Sequence, residues 1–290
     1  MSVFKHEYCA YTGPVTSQRS RIGVLARYGL ADAWSSKITL VLFAVSMVPV
    51  VFYLVGIYLA NNPIARMLIL RGGPVLTINA SFFLRVLTSQ CWLALVLMAW
   101  IAPRLVSFDL ADNALPILFS HPISRFGYVL GKFIALFLSL SLVTWIPSLL
   151  LFAYQGYTSP QPWVGDNLRV AIGLLAGSVL WIALLSIFGL ALASWVKWRM
   201  MATGSIFAAV LVPAGVGGVA SAILRTKWGS LLNLPIMMSQ LWRRLLGVPA
   251  SPRIHKELPN AAIATMLVLI CLVCVVMLNA RIRAREVVRG

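Results

Sequence analysis

Six long apolar runs, parted by short polar or mixed segments, set the pattern of this chain: about residues 38–60, 84–106, 129–152, 169–195, 201–223 and 261–280. At about 1.5 Å of rise per residue, an α-helix over any of them crosses a hydrocarbon layer about 30 Å thick. The pattern predicts an all-α, polytopic membrane protein with six transmembrane helices. Prolines at 49, 147 and 213 predict kinks, which neighbouring helices can accommodate. Trp100, Trp145, Trp163, Trp181, Trp195 and Trp198 include several near run ends, where aromatic anchors collect.

Two segments outside the runs carry weaker patterns. In residues 19–37, Ile22, Leu25, Tyr28 and Trp34 fall near helical spacing among Arg19, Arg21, Arg27 and Lys37. That predicts an N-terminal amphipathic helix in the membrane interface, with a loosely ordered basic tail as the alternative. Because the first long apolar run begins only after residue 37, no cleavable signal peptide is expected. Residues 225–260 have an apolar centre, Leu231 to Trp242, interrupted by Pro235. They read as short external helices dipping partly into the membrane and folded against the bundle. The rival is a re-entrant 201–223, rich in glycine (Gly204, Gly215, Gly217, Gly218), with five spans in all. No internal repeat or linker appears, so residues 1–290 read as one membrane domain.

Composition narrows the class. With 60% of the 290 residues apolar and 11% charged, polar surface is too scarce for a water-soluble globule. The net charge of +17 comes from 24 Lys and Arg against 7 Asp and Glu. No basic domain stands apart from the spans, so nucleic acid is not an expected partner, whereas the lipid bilayer is. An even number of spans puts both termini on one side. With that side cytoplasmic, fourteen of the 24 cations lie inside, and six of the other ten fall in 225–260. The positive-inside rule then favours cytoplasmic termini, modestly if that segment is counted.

Candidate chemistry is sparse. The acidic residues (Glu7, Asp32, Asp109, Asp112, Asp166, Glu257, Glu286) all lie outside the runs, whereas ion-coupled carriers usually keep carboxylates within the membrane. His6, His121 and His255 form no H-E-x-x-H motif, and no serine sits in G-x-S-x-G. Cys271 and Cys274 make a C-x-x-C without a second ligand pair, the pattern of small buried hydrophobes. Gly131-Lys132 lacks the glycine five positions earlier and the following Ser or Thr of a phosphate loop, so the chain should not bind ATP itself. No catalytic, cofactor-binding or metal-ligating residue is expected. Arg85 is taken as the one charged residue within the membrane region, with Arg104, Lys132 and Arg169 close to run ends: it faces a translocation path, or it snorkels outward from a span end. Gly173-x-x-x-Gly177 permits close helix packing.

The informative stretch is 103–132, PRLVSFDLADNALPILFSHPISRFGYVLGK, between the second and third runs. It holds Asp109, Asp112 and Asn113, then an apolar patch from Leu115 to Phe119, then His121-Pro122 and Ser124-Arg125. Asp112 can cap a helix N-terminus, and Pro122 disfavours helix at His121. The residues alone leave two readings open: an amphipathic helix presented to a soluble partner, or an ordinary loop holding two helices in register.

The run D-L-x-x-N-A-L-P-x-x-x-S-x-P-x-S-R-x-x-Y-V-L-G-K resembles the cytoplasmic signature of ABC-2-type transporter permeases. His121 stands where that family usually has arginine, in S-H-P-I-S-R at 120–125. The resemblance extends to an interfacial N-terminal helix, six spans and the basic tail Arg281-Ile282-Arg283-Ala284-Arg285-Glu286. It implies the permease subunit of an ATP-driven exporter in the bacterial cell inner membrane, a homodimer or a pair with a related permease. A separate ABC ATP-binding subunit would carry ATP and Mg. A coupling helix within 107–128 would insert into that subunit, with Asp109, Asp112, Asn113, Ser120, His121, Pro122 and Arg125 at or beside the contact. An ion-coupled secondary transporter or a membrane enzyme remains the alternative, and the cargo is not legible.

Overall fold

A computed structural model describes residues 17–62, 64, 67, 77–111, 124–159, 163–196, 198–249 and 258–281. Its elements are α1 (Gln18–Trp34), α2 (Lys37–Asn61), α3 (Ala80–Ala111), α4 (Arg125–Ser141), α5 (Trp145–Thr158), the one-turn α6 (Trp163–Asp166), α7 (Leu168–Trp195), α8 (Arg199–Ile223), a 3-10 turn (Trp228–Leu232), α9 (Leu234–Leu246) and α10 (Asn260–Arg281). No strand occurs among the described residues. Six helical stretches among the described residues are long and apolar enough to cross a bilayer: α2, α3 to Ser107, α4 with α5, α7, α8 and α10. The chain is a multi-pass membrane protein. α8 runs unbroken for 25 residues through Pro213 and its glycines, the same length as α2, so it has the reach of a span rather than of a re-entrant loop.

Contacts between helix ends sort the bundle into two rims. At the proximal rim meet the start of α2, the ends of α3, α7 and α10, and the starts of α4 and α8. Ser107 Oγ donates to Ala193 O at 3.0 Å, Arg281 Nε to Ser194 O at 3.2 Å, and Thr203 Oγ1 to Ala99 O at 3.0 Å. At the distal rim, Asn61 Nδ2 ties the end of α2 to Gln155 Oε1 and Thr158 Oγ1 of α5, at 2.9 and 3.0 Å. The described chain thus enters and leaves at the same rim.

The third apolar run is not one helix. α4 ends at Ser141 and α5 starts at Trp145, with a turn between them. Pro147 explains the position: in the first turn of α5 its missing N–H costs nothing, while its ring disfavours a helical carbonyl at Val143. Thr144 Oγ1 donates to Leu140 O at 2.9 Å and Ser148 Oγ to Thr144 O at 2.8 Å, returning polar contacts to the interrupted ladder. Pro49, Pro103 and Pro213, by contrast, lie within continuous helices.

α3 and α7 form the centre. They run side by side in the same direction, with Phe83, Leu87, Ala94, Leu97, Met98 and Ile101 of α3 and Leu174, Ile182 and Leu185 of α7 fully buried. Trp181 Nε1 donates to Cys91 O at 3.0 Å and locks their register. α1 packs along α4 on small residues spaced four apart. A Cβ at Gly131 would lie 2.8 Å from Leu25 Cδ2, and one at Gly29 would lie 3.2 Å from Ala135 Cβ. Trp34 Nε1 then donates to Ser139 Oγ at 3.2 Å. The helix expected at 19–37 therefore ends at Trp34, is docked on α4, and hands over to α2 after Ser35 and Ser36.

α9 folds back onto the bundle. Its end sits at the distal rim, where Gly247, at φ +72° in the left-handed region that glycine favours, stops the helix. Arg169 Nη2 donates to Arg244 O at 3.0 Å, capping the last turn. The start of α9 shares a cavity of about 200 Å³ with Thr88, Cys91 and Trp181. Cys91 and Trp181 lie about 16–20 Å along their helices from the distal ends, at about 1.5 Å per residue. The apolar centre of 225–260 thus reaches toward the middle of the bundle. It fits there because of the Gly173–Gly177 pair: Trp242 Nε1 donates to Gly177 O at 3.2 Å, and a Cβ at Gly177 would lie 2.8 Å from Trp242 Cδ1.

That contact predicts an asymmetry between two glycines. Gly177→Leu should lower the thermal unfolding midpoint in detergent through overpacking worth about 1–3 kcal/mol. Gly204→Leu, in open space on α8 with nothing within 4 Å, should leave the midpoint unchanged or raise it. Equal effects would mean that α9 does not pack on α7 as described.

Candidate functional site

The proximal rim holds both ion pairs of the described bundle, and two carboxylates organise it. Asp109 lies in the last turn of α3, just past the apolar stretch. Its Oδ2 is 2.8 Å from Lys132 Nζ of α4 and accepts the Tyr128 hydroxyl at 2.7 Å. Lys132 and Tyr128 are four apart on α4 and so share a face; the ammonium also sits 5.6 Å from the Tyr128 ring centroid. Tyr128 is buried, and the ion pair is largely shielded, with 11% and 23% side-chain exposure for Lys132 and Asp109. This clasp fixes the end of α3 to the start of α4 at the base of the 112–123 connection.

The second carboxylate is Asp32 of α1. Arg104 of α3 grips it through both nitrogens, Nη2 to Oδ1 at 3.0 Å and Nε to Oδ2 at 3.2 Å, and Nη2 also reaches Ser35 Oγ at 2.9 Å. Arg125, Arg199 and Arg281 have no carboxylate partner among the described residues. Arg199 stacks on Trp100, its guanidinium carbon 4.0 Å from the ring centroid, with Nε and Nη2 enclosed and unpartnered among the described residues. Arg281 lies 5.9 Å from the Trp195 ring centroid. Among the described residues, both carboxylates of the rim hold helices together, which leaves Arg125, Arg199 and Arg281 as cations without an acidic partner there.

Of the residues expected at a partner contact, Asp109 and Arg125 are described, and they do different things. Ser124 caps α4, its Oγ accepting from Gly127 N at 3.0 Å, and Arg125 is the exposed first residue of the helix. At 100° per residue, α4 presents three stripes. Gly127, Gly131 and Ala135 face α1, and Tyr128 and Lys132 face Asp109. Arg125, Phe126, Val129 and Phe133 line an apolar groove of about 390 Å³ against α7 and α10. Asp112, Asn113, Ser120, His121 and Pro122 lie outside the described residues. So do most of the coupling helix expected within 107–128 and the basic tail beyond Arg281. Arg85 sits in the second turn of α3, exposed, near the distal rim.

Lys132, Tyr128, Arg104 and Asp32 were legible only as rim charges or loop residues, although the i,i+4 spacing of Tyr128 and Lys132 is a signal that they share a face. Gln90 carried no signal at all. It is fully buried midway along the apolar part of α3, with neither amide atom partnered among the described residues. No group of three His, Cys, Asp or Glu gathers among the described residues; Cys274 is buried and Cys271 half-buried, both as free thiols.

No family model matches this sequence, and no curated protein matches it either.

Two stability outcomes follow from these contacts. Asp109→Asn and Lys132→Met should each cost about 1.5–3 kcal/mol, and the double variant should cost clearly less than their sum, read by thermal unfolding. Gln90→Met, which removes the unpaired amide at nearly constant volume, should stabilise by about 1–3 kcal/mol. A destabilised Gln90→Met would mean that the amide has a partner.

Proposed function

We propose that this chain is the permease subunit of an ATP-driven ABC transporter, an exporter of the ABC-2 type. It would sit in the bacterial cell inner membrane with the proximal rim and both termini in the cytoplasm, paired with a second permease. The observation that carries the reading is the position of the signature stretch. On either side of residues 112–123, α3 ends and α4 begins at the rim where the described chain begins and ends, beside Arg104, Arg125, Arg199 and Arg281. This agrees with positive-inside placement, and it is the face a cytoplasmic ATPase could reach.

The mechanism on this reading is mechanical. ATP binding and hydrolysis occur on the partner, and closure of the partner displaces the 112–123 connection. The Asp109–Lys132–Tyr128 clasp gives that push two rigid outputs at once, α3 at the centre of the bundle and α4 with α1 docked along it. Rigid-body movement of those helices biases the bundle between inward- and outward-facing arrangements. The distal end, where α9 folds back toward the midplane, would close the path on the far side. Apolar walls and scarce charge suit a lipid-like or otherwise hydrophobic cargo.

The test is reconstitution. Co-expressed with an ATP-binding subunit encoded beside it (a reading frame with G-x-x-x-x-G-K-[ST]), the chain should co-purify and alter that subunit's ATP hydrolysis. Asp109→Ala should cut the cargo-stimulated part by about tenfold or more, as loss of a 1.5–3 kcal/mol charged contact would, while membrane insertion persists. A cysteine at Ser120 should label only from the cytoplasmic side. Labelling from outside intact cells, or full transport with no nucleotide-hydrolysing companion, would overturn the proposal.

A further inference from the structure

The apolar groove between α4, α7 and α10 has a composition that selects its occupant. Phe126 and Phe133 of α4, Ile187 of α7 and Val275 of α10 form its wall, and the polar groups on it, Arg125 and Asn279, belong to the rim ends of α4 and α10. Phe126 is 71% and Val275 51% exposed, so the groove opens sideways from the bundle, toward the bilayer. Arg125 is exposed, with no carboxylate partner among the described residues, and is the first residue of the span-length stretch Arg125–Thr158, where a crossing helix meets headgroups. Greasy along its length and cationic at its mouth, the groove has the polarity profile of a single lipid seen from the side.

Charge and polarity argue against the obvious rivals. A second copy of this chain, seated here in the same orientation, would bring another cationic rim against Arg125. A small free anion would satisfy Arg125 but leave the apolar wall uncovered.

We infer that the groove binds an anionic glycerophospholipid from the leaflet at the proximal rim, one acyl chain lying along Phe126, Phe133, Ile187 and Val275 and the phosphate resting on the Arg125 guanidinium. Such a site couples the position of α4 to α7 and α10 through a lipid, on the face of α4 opposite its contact with α1. The inference requires only a membrane protein. It does not rest on the transporter reading, and its test contains neither nucleotide nor ATPase.

The full chain is placed in phosphatidylcholine nanodiscs doped with trace phosphatidylglycerol or phosphatidylcholine bearing a diazirine on one acyl chain. After illumination, adducts are mapped by mass spectrometry. The phosphatidylglycerol probe should label residues 126–133, 187–190 and 275–279 about fivefold more than the phosphatidylcholine probe, the ratio set by about 1 kcal/mol for one cation at an anionic surface. Arg125→Gln should bring phosphatidylglycerol labelling down to the phosphatidylcholine level, and Val275→Trp, which fills the groove, should remove both. Excess glycerol 3-phosphate should not compete. Equal labelling by the two probes in the unaltered protein, adducts spread evenly over α2, α8 and α10, or competition by glycerol 3-phosphate would each overturn the inference. The comparison of probes in the unaltered protein decides the matter even if a variant fails to fold.

Discussion

Hydrocarbon offers no water to a backbone amide or a buried hydroxyl, and the bundle is arranged around that fact. Ser139, Ser141 and Ser186 each return their hydroxyl to a carbonyl one turn back on their own helix, at 2.9, 2.8 and 2.6 Å. Within the bundle, five of the described bonds that cross between helices run from an indole N–H or a hydroxyl to a carbonyl: Trp181 to Cys91, Trp242 to Gly177, Trp195 to Met277, Ser107 to Ala193, Thr203 to Ala99. Each is worth only about 0.6–1.7 kcal/mol in a membrane setting. Their value is positional, because they fix which turn of one helix meets which turn of the next.

With the hydrophobic effect no longer distinguishing helix from lipid, close packing must hold the helices together, and close packing needs small residues. The structure spends them in two places. Gly127, Gly131 and Ala135 let α1 lie against α4, and Gly173 and Gly177 admit α9 with the bulky Trp242. α2, α8 and α10, mostly exposed, surround a core built from α3 and α7. The folding-back of α9 follows from the same economy: Trp242 enters the bundle at Gly177, which leaves room for the ring and offers a carbonyl to its N–H.

Charge is segregated in a complementary way. The described carboxylates nearest the bundle, Asp32 and Asp109, are used as fasteners at the proximal rim, each holding two helices that the connecting segments would otherwise leave free to splay. The cations left without acidic partners then define a surface. On the proposed reading that surface faces both a cytoplasmic ATPase and anionic headgroups, and α4 serves all three neighbours, α1, the clasp and the lipid groove, with three stripes of one helix.

The number of spans, their approximate limits and the helical class follow from the sequence, because a run of apolar residues long enough to cross a bilayer leaves the backbone one low-energy choice. The sequence also marked Gly173 and Gly177 as a close-packing pair, and it marked 103–132 as the stretch richest in chemistry. What it could not decide was partnership. Asp109 read as a residue at or beside a partner contact; tertiary structure joins it to Lys132 and Tyr128. Arg125, sixteen residues on in the same stretch, falls on another stripe of α4 and lines a groove whose far walls come from Ile187 and Val275. The break at 142–144 was hinted by Pro147 alone, and the depth of α9 was set by a glycine on a different helix. Apolar length is a property of one segment and can be read along the chain; which side chain meets which depends on how helices far apart in sequence turn toward each other, and only the folded bundle fixes that.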